Sequence, residues 1–363
     1  MDKRIWRNYD FVLLGATVLA SILGVAIVYS ASHTISSIQN SALRQAVFAA
    51  VGLAIGWVVA AVDYRLLDTF SIPLYILIVL LLVAVIVIGQ ITFNAQRSFD
   101  LGIVDLQPSE LSKPLLIIVL AAFLAKREGQ QSQFVTLLLS ALLVAVPVLL
   151  IYQQPDLGTA LVLIFVWGTM IFASGINLLL LGLTFGGGLA AAPVLWFTME
   201  DYMRRRIITF VNPAADPQSY YNIRQALYAI GSGGWLGKGY LQGTQSQLHF
   251  LLVKHTDFAF SVLCEELGML GALVLIVLLT VILLRMLRAA KLARDSFGRL
   301  ICSGIAAWLF FQSAVNIGMN LNLLPVTGLP LPFISYGGSA LVTILAATGL
   351  VQGVILRHRK IEF

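Results

Sequence analysis

Long apolar runs separated by short polar connections make up most of the chain. A run of about 20 mostly apolar residues is long enough to cross a bilayer as a helix. We identify ten such runs, with approximate limits at 10–30, 45–62, 70–90, 109–125, 133–152, 158–174, 177–197, 259–284, 300–321 and 336–356. The pattern therefore predicts an all-α, polytopic integral membrane protein of about ten transmembrane helices.

One connection is much longer than the others. Residues 198–258, between the seventh and eighth runs, form a segment rich in Gly, Gln, Tyr and Arg. Connections longer than about 12–15 residues are usually functional, and binding residues concentrate on loops. Since the sequence shows no separate soluble domain, we predict one transmembrane domain over residues 1–363 that carries this large extracytoplasmic loop.

The composition excludes several classes of protein. Of the 363 residues, 59% are hydrophobic and 11% are charged, and the mean hydropathy is +0.91. A soluble domain has about 45–50% apolar and about 25% charged residues, so a soluble enzyme and a disordered chain are both excluded. Cys264 and Cys302 lie in apolar runs, which leaves no disulfide framework.

The net charge of +6 indicates membrane topology and not a nucleic-acid partner. Cytoplasmic loops of membrane proteins collect Lys and Arg. With the N-terminus in the cytoplasm, the inner connections hold most of the basic residues, and the short outer connections hold only Arg44 and Arg97. This asymmetry predicts that both termini are cytoplasmic and that the 198–258 loop is on the outer face.

Charged side chains inside a bilayer are unfavourable by roughly 2.5–3.5 kcal/mol each, which makes them functional candidates. Glu110 and Lys113 follow Pro108, which suits a first helical turn, and they share one face of the fourth helix. They are either a structural ion pair or part of a polar cavity. Asp156 lies between the fifth and sixth runs, where it either caps the next helix or belongs to a site.

The long loop contains three further candidates. Arg204, Arg205 and Arg206 either contact lipid headgroups or clamp a phosphate or pyrophosphate. The glycine run 231–239 lacks the preceding strand of a nucleotide loop, so it is either a tight turn whose N–H groups face an anion or a simple bend. Asp257, at the beginning of the eighth run, is either a helix N-cap or a general base whose pKa is tuned by burial and neighbours.

Two further features concern the backbone. The Pro- and Gly-rich segment 329–339 predicts an irregular beginning of the tenth helix that is buried in protein or lines a cavity, and the alternative is a plain Pro-rich loop. The spacings Gly52…Gly56 and Gly182…Gly186 are typical of close helix packing. The histidines do not cluster like metal ligands, so we predict no metal site from them.

The position of the polar candidates restricts the chemistry. All of them fall on the predicted outer face, whereas nucleoside triphosphates and nucleotide sugars are cytoplasmic. A lipid-linked pyrophosphate sugar is an activated donor that reaches the outer face, where arginines would offset its charge and a carboxylate would activate a hydroxyl. The sequence thus favours lipid-dependent glycosyl transfer, with transport of an anionic lipid as the alternative.

Six segments of the chain resemble the SEDS family (shape, elongation, division and sporulation), and they keep the family's order. They are residues 95–104, 107–113, 153–160, 229–248, 255–268 and 332–339. The motifs include Gln107-Pro108-Ser109-Glu110, Gln153-Gln154-Pro155-Asp156, His255-Thr256-Asp257-Phe258 and Ser335-Tyr336-Gly337-Gly338. The run Gly243-Thr244-Gln245-Ser246-Gln247-Leu248 favours the family's elongation branch over its division branch.

The resemblance implies ten transmembrane helices and a peptidoglycan glycosyltransferase. Such an enzyme polymerises lipid II on the outer face of the bacterial cytoplasmic membrane during elongation. Its implied partners are lipid II, a class B penicillin-binding protein that supplies transpeptidation, and other membrane proteins of the elongation complex. A division-specific polymerase, a lipid II flippase and a non-enzymatic scaffold are the alternatives.

The resemblance also assigns residues. Asp257 matches the family's essential aspartate, the proposed base. The remaining substrate-binding or cavity residues are Glu110, Lys113, Asp156, Arg206, Arg97, Lys238, Gln245 and Ser335. The family's activity is associated with a divalent cation, Mg²⁺ or Mn²⁺, although the sequence offers no clear site for one.

Overall fold

The structure, a computed structural model, describes residues 8–33, 40–92, 95–100, 105–129, 132–248 and 256–358. The helices are α1 (Phe11–Ser32), α2 (Ser41–Ala61), α3 (Leu66–Thr69), α4 (Ser71–Ile88), α5 (Pro108–Arg127), α6 (Gln133–Gln153), α7 (Leu157–Ala173), α8 (Leu178–Thr198), α9 (Asp201–Val211), α10 (Pro217–Gly233), α11 (Thr244–Gln247), α12 (Ala259–Leu292), α13 (Ser296–Asn320) and α14 (Gly338–Leu356). Each of the ten predicted runs corresponds to one long helix.

The predicted fold class is confirmed: the chain is an all-α, multi-pass membrane protein. Eight of the described helices are long and apolar enough to cross a membrane. The two remaining apolar helices, α7 and α8, have shorter apolar stretches. α7 has 17 residues, which at about 1.5 Å per residue gives roughly 25 Å, slightly less than the roughly 30 Å of bilayer hydrocarbon.

Three helices form the centre of the bundle. Most of the apolar stretch of α5, α13 and α14 is buried inside the protein, whereas less than half of the apolar stretch of α1, α2, α4 and α6 is buried. The outward faces carry exposed Leu, Ile, Val and Phe side chains, as expected of helices that contact lipid. Polar side chains are therefore concentrated in the interior, the reverse of the arrangement in a soluble protein.

Small residues bring α2 and α14 into close contact. A Cβ atom on Gly349 would lie 2.1 Å from the carbonyl oxygen of Gly56, and one on Gly56 would lie 2.7 Å from the carbonyl oxygen of Leu345. The close packing predicted for Gly52…Gly56 is confirmed. That predicted for Gly182…Gly186 is wrong, because a Cβ at either position would meet nothing within 4 Å.

A short antiparallel sheet, which the apolar pattern did not predict, precedes α5. It contains β1 (Gln90–Thr92), β2 (Ala95–Asp100) and β3 (Asp105–Leu106), in the order β1-β2-β3. Phe99 pairs with Leu106 at the end of the sheet. The sheet places Arg97 in β2 and leads the chain directly into the first turn of α5.

The helix α12 is broken at Gly268, whose backbone lies at φ 64° and ψ −162°. The glycine segment, residues 231–239, packs into this break. Four hydrogen bonds join them: Lys238 N and Gly239 N donate to the carbonyls of Glu265 and Glu266 at 3.0 and 3.1 Å, and Met269 N and Leu270 N donate to those of Gly234 and Trp235 at 2.9 and 3.1 Å.

Glycine is required on both sides of this junction. A Cβ atom on Gly237 would lie 2.1 Å from the Glu266 carbonyl oxygen, and one on Gly268 would lie 2.3 Å from the Gly237 nitrogen. The sequence offered an anion-facing turn or a simple bend as alternatives. Neither alternative describes the contacts of the segment, because its N–H groups donate to main-chain carbonyls that lose their helical partners at the break.

At the other end of the bundle, Asp10 joins three helices. Its carboxylate caps α1 through the N–H groups of Val12 and Leu13 and pairs with Arg285 of α12 at 2.6 Å. Its main chain exchanges two hydrogen bonds with the Gln352 side chain of α14. The positions of α1, α12 and α14 are thus fixed at this end by one acidic residue.

We expect Gly349→Ala to lower the free energy of unfolding by about 1–3 kcal/mol, because the added methyl group overpacks the α2–α14 contact. Thermal unfolding in detergent measures the effect. Gly15→Ala is the matched control, since a Cβ there meets nothing within 4 Å. Equal stabilities of the two variants would contradict the packing described for α2 and α14.

Candidate functional site

Three amide side chains form a polar ladder on one buried face of α13. Gln312, Asn316 and Asn320 are spaced four residues apart, so they lie one above another, and none is exposed. Asn316 Nδ2 donates to the carbonyl of Leu329 at 2.8 Å, and Gln312 Nε2 donates to that of Pro330 at 2.7 Å. The ladder therefore holds the α13–α14 loop, residues 321–337, against α13.

The same ladder holds the main chain of Asp257. The Asp257 carbonyl accepts hydrogen bonds from Asn320 Nδ2 at 3.0 Å and from Asn316 Nδ2 at 3.3 Å. Asp257 lies in the turn before α12 and is partly exposed. The N-cap position of α12 is Phe258, so the interpretation of Asp257 as the N-cap residue is wrong.

Ser335 fixes the other side of this turn. Its hydroxyl donates to the carbonyl of Thr256 at 2.6 Å and accepts from the N–H of Leu331 at 2.9 Å. Gln45 of α2 in turn donates to the Ser335 carbonyl at 3.1 Å. The irregular segment predicted before the tenth helix is confirmed, and it connects α2, α13 and the residue that precedes Asp257.

Glu110 and Lys113 form a buried ion pair with a separation of 2.6 Å and side chains that are 3% and 0% exposed. Lys113 Nζ also donates to Gln312 Oε1 at 3.2 Å and lies 5.5 Å from the centre of the Trp308 ring. Oε2 of Glu110 has no hydrogen-bond partner among the described residues. The pair therefore joins the polar ladder and keeps one carboxylate oxygen for a further interaction.

Two other helices approach the α13–α14 loop: α9 through Arg206, and α7 at its first residues, which follow Asp156. Arg206 Nη1 donates to the Val326 carbonyl at 3.1 Å, and its guanidinium lies 4.4 Å from the centre of the Tyr202 ring. Asp156 caps α7 by accepting from Thr159 N at 3.1 Å. The α7 terminus touches the loop, since a Cβ on Gly158 would lie 3.0 Å from the Thr327 carbonyl oxygen.

The three adjacent arginines have different surroundings. Arg204 donates to the carbonyls of Trp196 and Phe197 at 3.0 and 2.7 Å, where it satisfies the last turn of α8. Arg205 is exposed. Of the three, Arg206 is the one that contacts the α13–α14 loop in the described part of the chain.

Lys238 and Gln245 lie at a separate cluster around Glu265. Lys238 Nζ pairs with Glu265 Oε1 at 2.9 Å, and the Gln245 N–H donates to the same oxygen at 2.8 Å. Glu110, Lys113, Asp156, Arg206, Asp257 and Ser335 are the sequence-predicted residues that meet around the polar ladder and the α13–α14 loop. Arg97 lies in β2.

The three ladder residues were not predicted from the sequence, and Glu265 was not assigned to the site. The sequence nevertheless contained a signal for the ladder, because amides four residues apart in an otherwise apolar helix are unfavourable unless they have partners. The described residues contain no group of three or more His, Cys, Asp or Glu side chains that could hold a metal ion. They do not fit a metal site built from protein ligands alone, and we assign no step to a metal.

A family profile and two known proteins match this chain over almost its whole length. The profile of a family of cell cycle proteins named for FtsW, RodA and SpoVE matches residues 11–360. The peptidoglycan glycosyltransferase MrdB of Escherichia coli is 40% identical over 365 residues, which cover 99% of this chain and 96% of that protein. A probable peptidoglycan glycosyltransferase FtsW of Geobacter sulfurreducens is 37% identical over 362 residues, 97% of this chain and 96% of that protein.

Two solved structures have the same fold. The rod shape determining protein RodA of Thermus thermophilus matches with a TM-score of 0.72 and 32% identity, over 96% of each chain. A chain from a peptidoglycan synthase complex, described as coordinating polymerization and crosslinking, matches with a TM-score of 0.83 and 33% identity, over 96% of this chain and 98% of that one.

We expect Lys113→Met to lower the free energy of unfolding by about 3–5 kcal/mol, because it leaves the Glu110 carboxylate buried without its cation. Adding Glu110→Leu should restore much of that stability, since no buried charge is then left unpaired. Thermal unfolding in detergent compares the two variants.

Lys126→Met is the control for this pair, because the ion pair of Lys126 with Asp68 is largely exposed. Its loss should change the free energy of unfolding by less than about 1 kcal/mol. A double variant as unstable as Lys113→Met alone would show that the unpaired charge is not the cause.

Proposed function

The chain belongs to the family of cell cycle proteins named for FtsW, RodA and SpoVE, and we propose that it is a peptidoglycan glycosyltransferase with Asp257 at its reacting centre. One observation carries this proposal: inside an apolar bundle, Asp257 and the Glu110–Lys113 pair contact one buried polar ladder, and Arg206 contacts the α13–α14 loop that this ladder holds. Polar groups at membrane depth are functional candidates by default.

The proposed substrate is lipid II, in which a disaccharide-peptide is linked through pyrophosphate to a polyprenyl chain. The relatives named as peptidoglycan glycosyltransferases support this class of substrate. A donor with a lipid tail also suits a site enclosed by helices whose outward faces are apolar. The tail would remain in the bilayer while the sugar reaches Asp257.

In the proposed reaction, the Asp257 carboxylate takes the proton of an acceptor sugar hydroxyl. The hydroxyl oxygen then bonds to the anomeric carbon of the donor while the bond from that carbon to the pyrophosphate oxygen breaks. A single displacement inverts the anomeric carbon and needs one base near the hydroxyl. The leaving group is polyprenyl pyrophosphate.

Arg206 is the proposed stabiliser of this leaving group. A guanidinium has five N–H donors that match phosphate oxygens, and its described hydrogen bonds are to Val326 and Tyr202. Those two contacts would hold the planar group in place while other donors face the pyrophosphate. Charge that develops on the leaving oxygen is best stabilised by such fixed donors.

The other cavity residues have supporting roles in the proposal. Glu110 and Lys113 fix the orientation of Gln312, and Asp156 fixes the α7 terminus beside the α13–α14 loop. Ser335 holds the main chain beside Asp257. Arg97 is proposed to contact substrate from β2.

We further propose that this multi-pass protein resides in the bacterial cytoplasmic membrane, with both termini in the cytoplasm and Asp257 on the outer side. The basic residues Arg285, Arg288, Lys291, Arg294 and Arg299 lie at the end of α12 and beginning of α13, far from Asp257 along α12. Cytoplasmic connections carry such charge.

A class B penicillin-binding protein is the proposed partner, and elongation is the proposed process, together with the other membrane proteins of that complex. A matching chain has been solved in a peptidoglycan synthase complex, and another relative is a rod shape determining protein. Relatives named FtsW match at similar identity, so a division role is the second candidate.

We expect Asp257→Asn to abolish glycan synthesis, because the amide cannot accept the proton of the acceptor hydroxyl. Polymerisation of lipid II by purified protein in liposomes, with and without the penicillin-binding partner, measures this. Asp68→Asn, at the other end of the bundle, is the control and should retain activity.

Glycan from Asp257→Asn at the wild-type rate would reject Asp257 as the base. If wild type makes no glycan with its partner present, polymerase activity is rejected. Movement of unmodified lipid II between leaflets would then support a flippase, and absence of both activities would support a scaffold.

The topology is tested with single cysteines in a variant that lacks Cys264 and Cys302, both of which are buried. Ser232→Cys should react with a membrane-impermeant maleimide in intact cells, whereas Lys291→Cys should react only after permeabilisation. Both positions are exposed in the structure. The opposite labelling pattern would place Asp257 on the cytoplasmic side.

A further inference from the structure

We infer that Lys238 and Glu265 are positioning residues for Asp257, and that they do not bind substrate. This inference rests on the proposed function and extends it to the long loop. The side chain of Glu265 is 0% exposed. A buried carboxylate is unfavourable unless it is paired and hydrogen-bonded, so its surroundings must supply donors.

Four donors converge on the Glu265 carboxylate, and all of them come from residues 238–246. They are Lys238 Nζ at 2.9 Å, Thr244 Oγ1 at 3.3 Å, Gln245 N at 2.8 Å and Ser246 N at 3.0 Å. Both carboxylate oxygens are used. Because Lys238 also donates to Thr244 Oγ1 at 2.7 Å, its ammonium is part of the cluster and not a free surface charge.

The main chain reinforces this contact. The N–H of Lys238 donates to the carbonyl of Glu265 at 3.0 Å, so the two residues are joined by both backbone and side chain. Glu266, the next residue, accepts from Gln247 Nε2 at 3.2 Å and from the hydroxyl of Ser30 of α1. Residues 238–247 are thus fastened to the first part of α12 and to α1.

These contacts affect the position of Asp257 through the first turns of α12. Glu265 follows Asp257 by eight residues, of which Ala259–Glu265 are helical and rise about 10 Å, and the intervening helical residues Ala259–Cys264 are buried. The first turns of α12 are therefore held at one end by the polar ladder at Asp257 and at the other by the Glu265 cluster. A shift or rotation of these turns would move the Asp257 carboxylate relative to Arg206.

Lys238 is the part of the cluster best suited to a test. Its side chain is 26% exposed, so its replacement does not open a cavity in the core. Without its ammonium, Glu265 keeps its neutral donors but loses its counter-charge. We expect the first turns of α12 to lose their fixed position while the fold is retained.

The test measures kcat and KM for lipid II with the full-length protein and its penicillin-binding partner. Lys238→Met should lower kcat by roughly ten- to a hundredfold, the loss that follows a displacement of about 1 Å in a reacting group. KM should stay within about twofold, because binding in the ground state is unchanged. Lys238→Arg keeps the charge and should retain most of kcat.

Two comparisons make the result specific. Lys126→Met removes an ion pair of the same 2.9 Å length at the other end of the bundle and should leave both kinetic constants unchanged. Glu265→Gln should lower kcat, and combining it with Lys238→Met should add little further loss, because residues that act as a unit are not additive.

Wild-type kcat in a folded Lys238→Met protein would overturn the inference. An increase in KM with unchanged kcat would also overturn it, and would instead make Lys238 a substrate contact. A loss of glycan that follows only the unfolded fraction in thermal unfolding would reduce the pair to a structural role. These outcomes are separate from failure of the proposed function, in which wild type itself makes no glycan with its partner present.

Discussion

The buried amides of α13 set the constraint on which the other parts of the site depend. Inside a membrane bundle, a buried polar group is unfavourable unless it finds a hydrogen-bond partner, and that partner usually has to come from the protein. Gln312 and Asn316 find theirs in the carbonyls of the α13–α14 loop, and Asn320 finds its partner in the carbonyl of Asp257. A regular helix would have used those carbonyls itself. The amides of α13 and the irregular backbone beside them therefore require each other. Without the free carbonyls of the irregular loop, the buried amides of α13 would have no hydrogen-bond partners.

The same rule shapes α12. Its break at Gly268 releases main-chain groups that the glycine segment satisfies in both directions. Glycine is needed because the two backbones approach more closely than a Cβ atom allows. Residues 234–239, which follow α10, are thereby held beside the helix that Asp257 precedes. Two independent contacts, one at the ladder and one at Glu265, then set where the carboxylate of Asp257 lies.

The apolar pattern was enough to predict the helices but not how they meet. The run predicted at 133–152 is the helix Gln133–Gln153, because length and hydrophobicity suffice for a lipid-facing helix. The run predicted to end near 284 continues to Leu292, since Arg and Lys are good helix formers once outside the apolar layer. The sheet was missed because its strands are too short and polar for an apolar run. Lys113 and Gln312 are 199 residues apart, and no local pattern predicts that contact. Lys238 was grouped with the cavity because its partner Glu265 belongs to an apolar helix whose orientation the sequence does not define.

The Glu110–Lys113 pair influences the position of Asp257 indirectly, through Gln312 and the α13–α14 loop. Lys113 Nζ and Trp308 Nε1 both donate to Oε1 of Gln312, at 3.2 and 2.7 Å. An amide has one acceptor end and one donor end, so these two donors force its Nε2 toward the α13–α14 loop, where it donates to Pro330. That loop carries Ser335, whose hydroxyl holds the carbonyl next to Asp257. Hydrogen bonds in such a chain polarise and orient one another. A charge on α5 therefore determines an amide orientation on α13, which in turn fixes the backbone from which the Asp257 carboxylate projects.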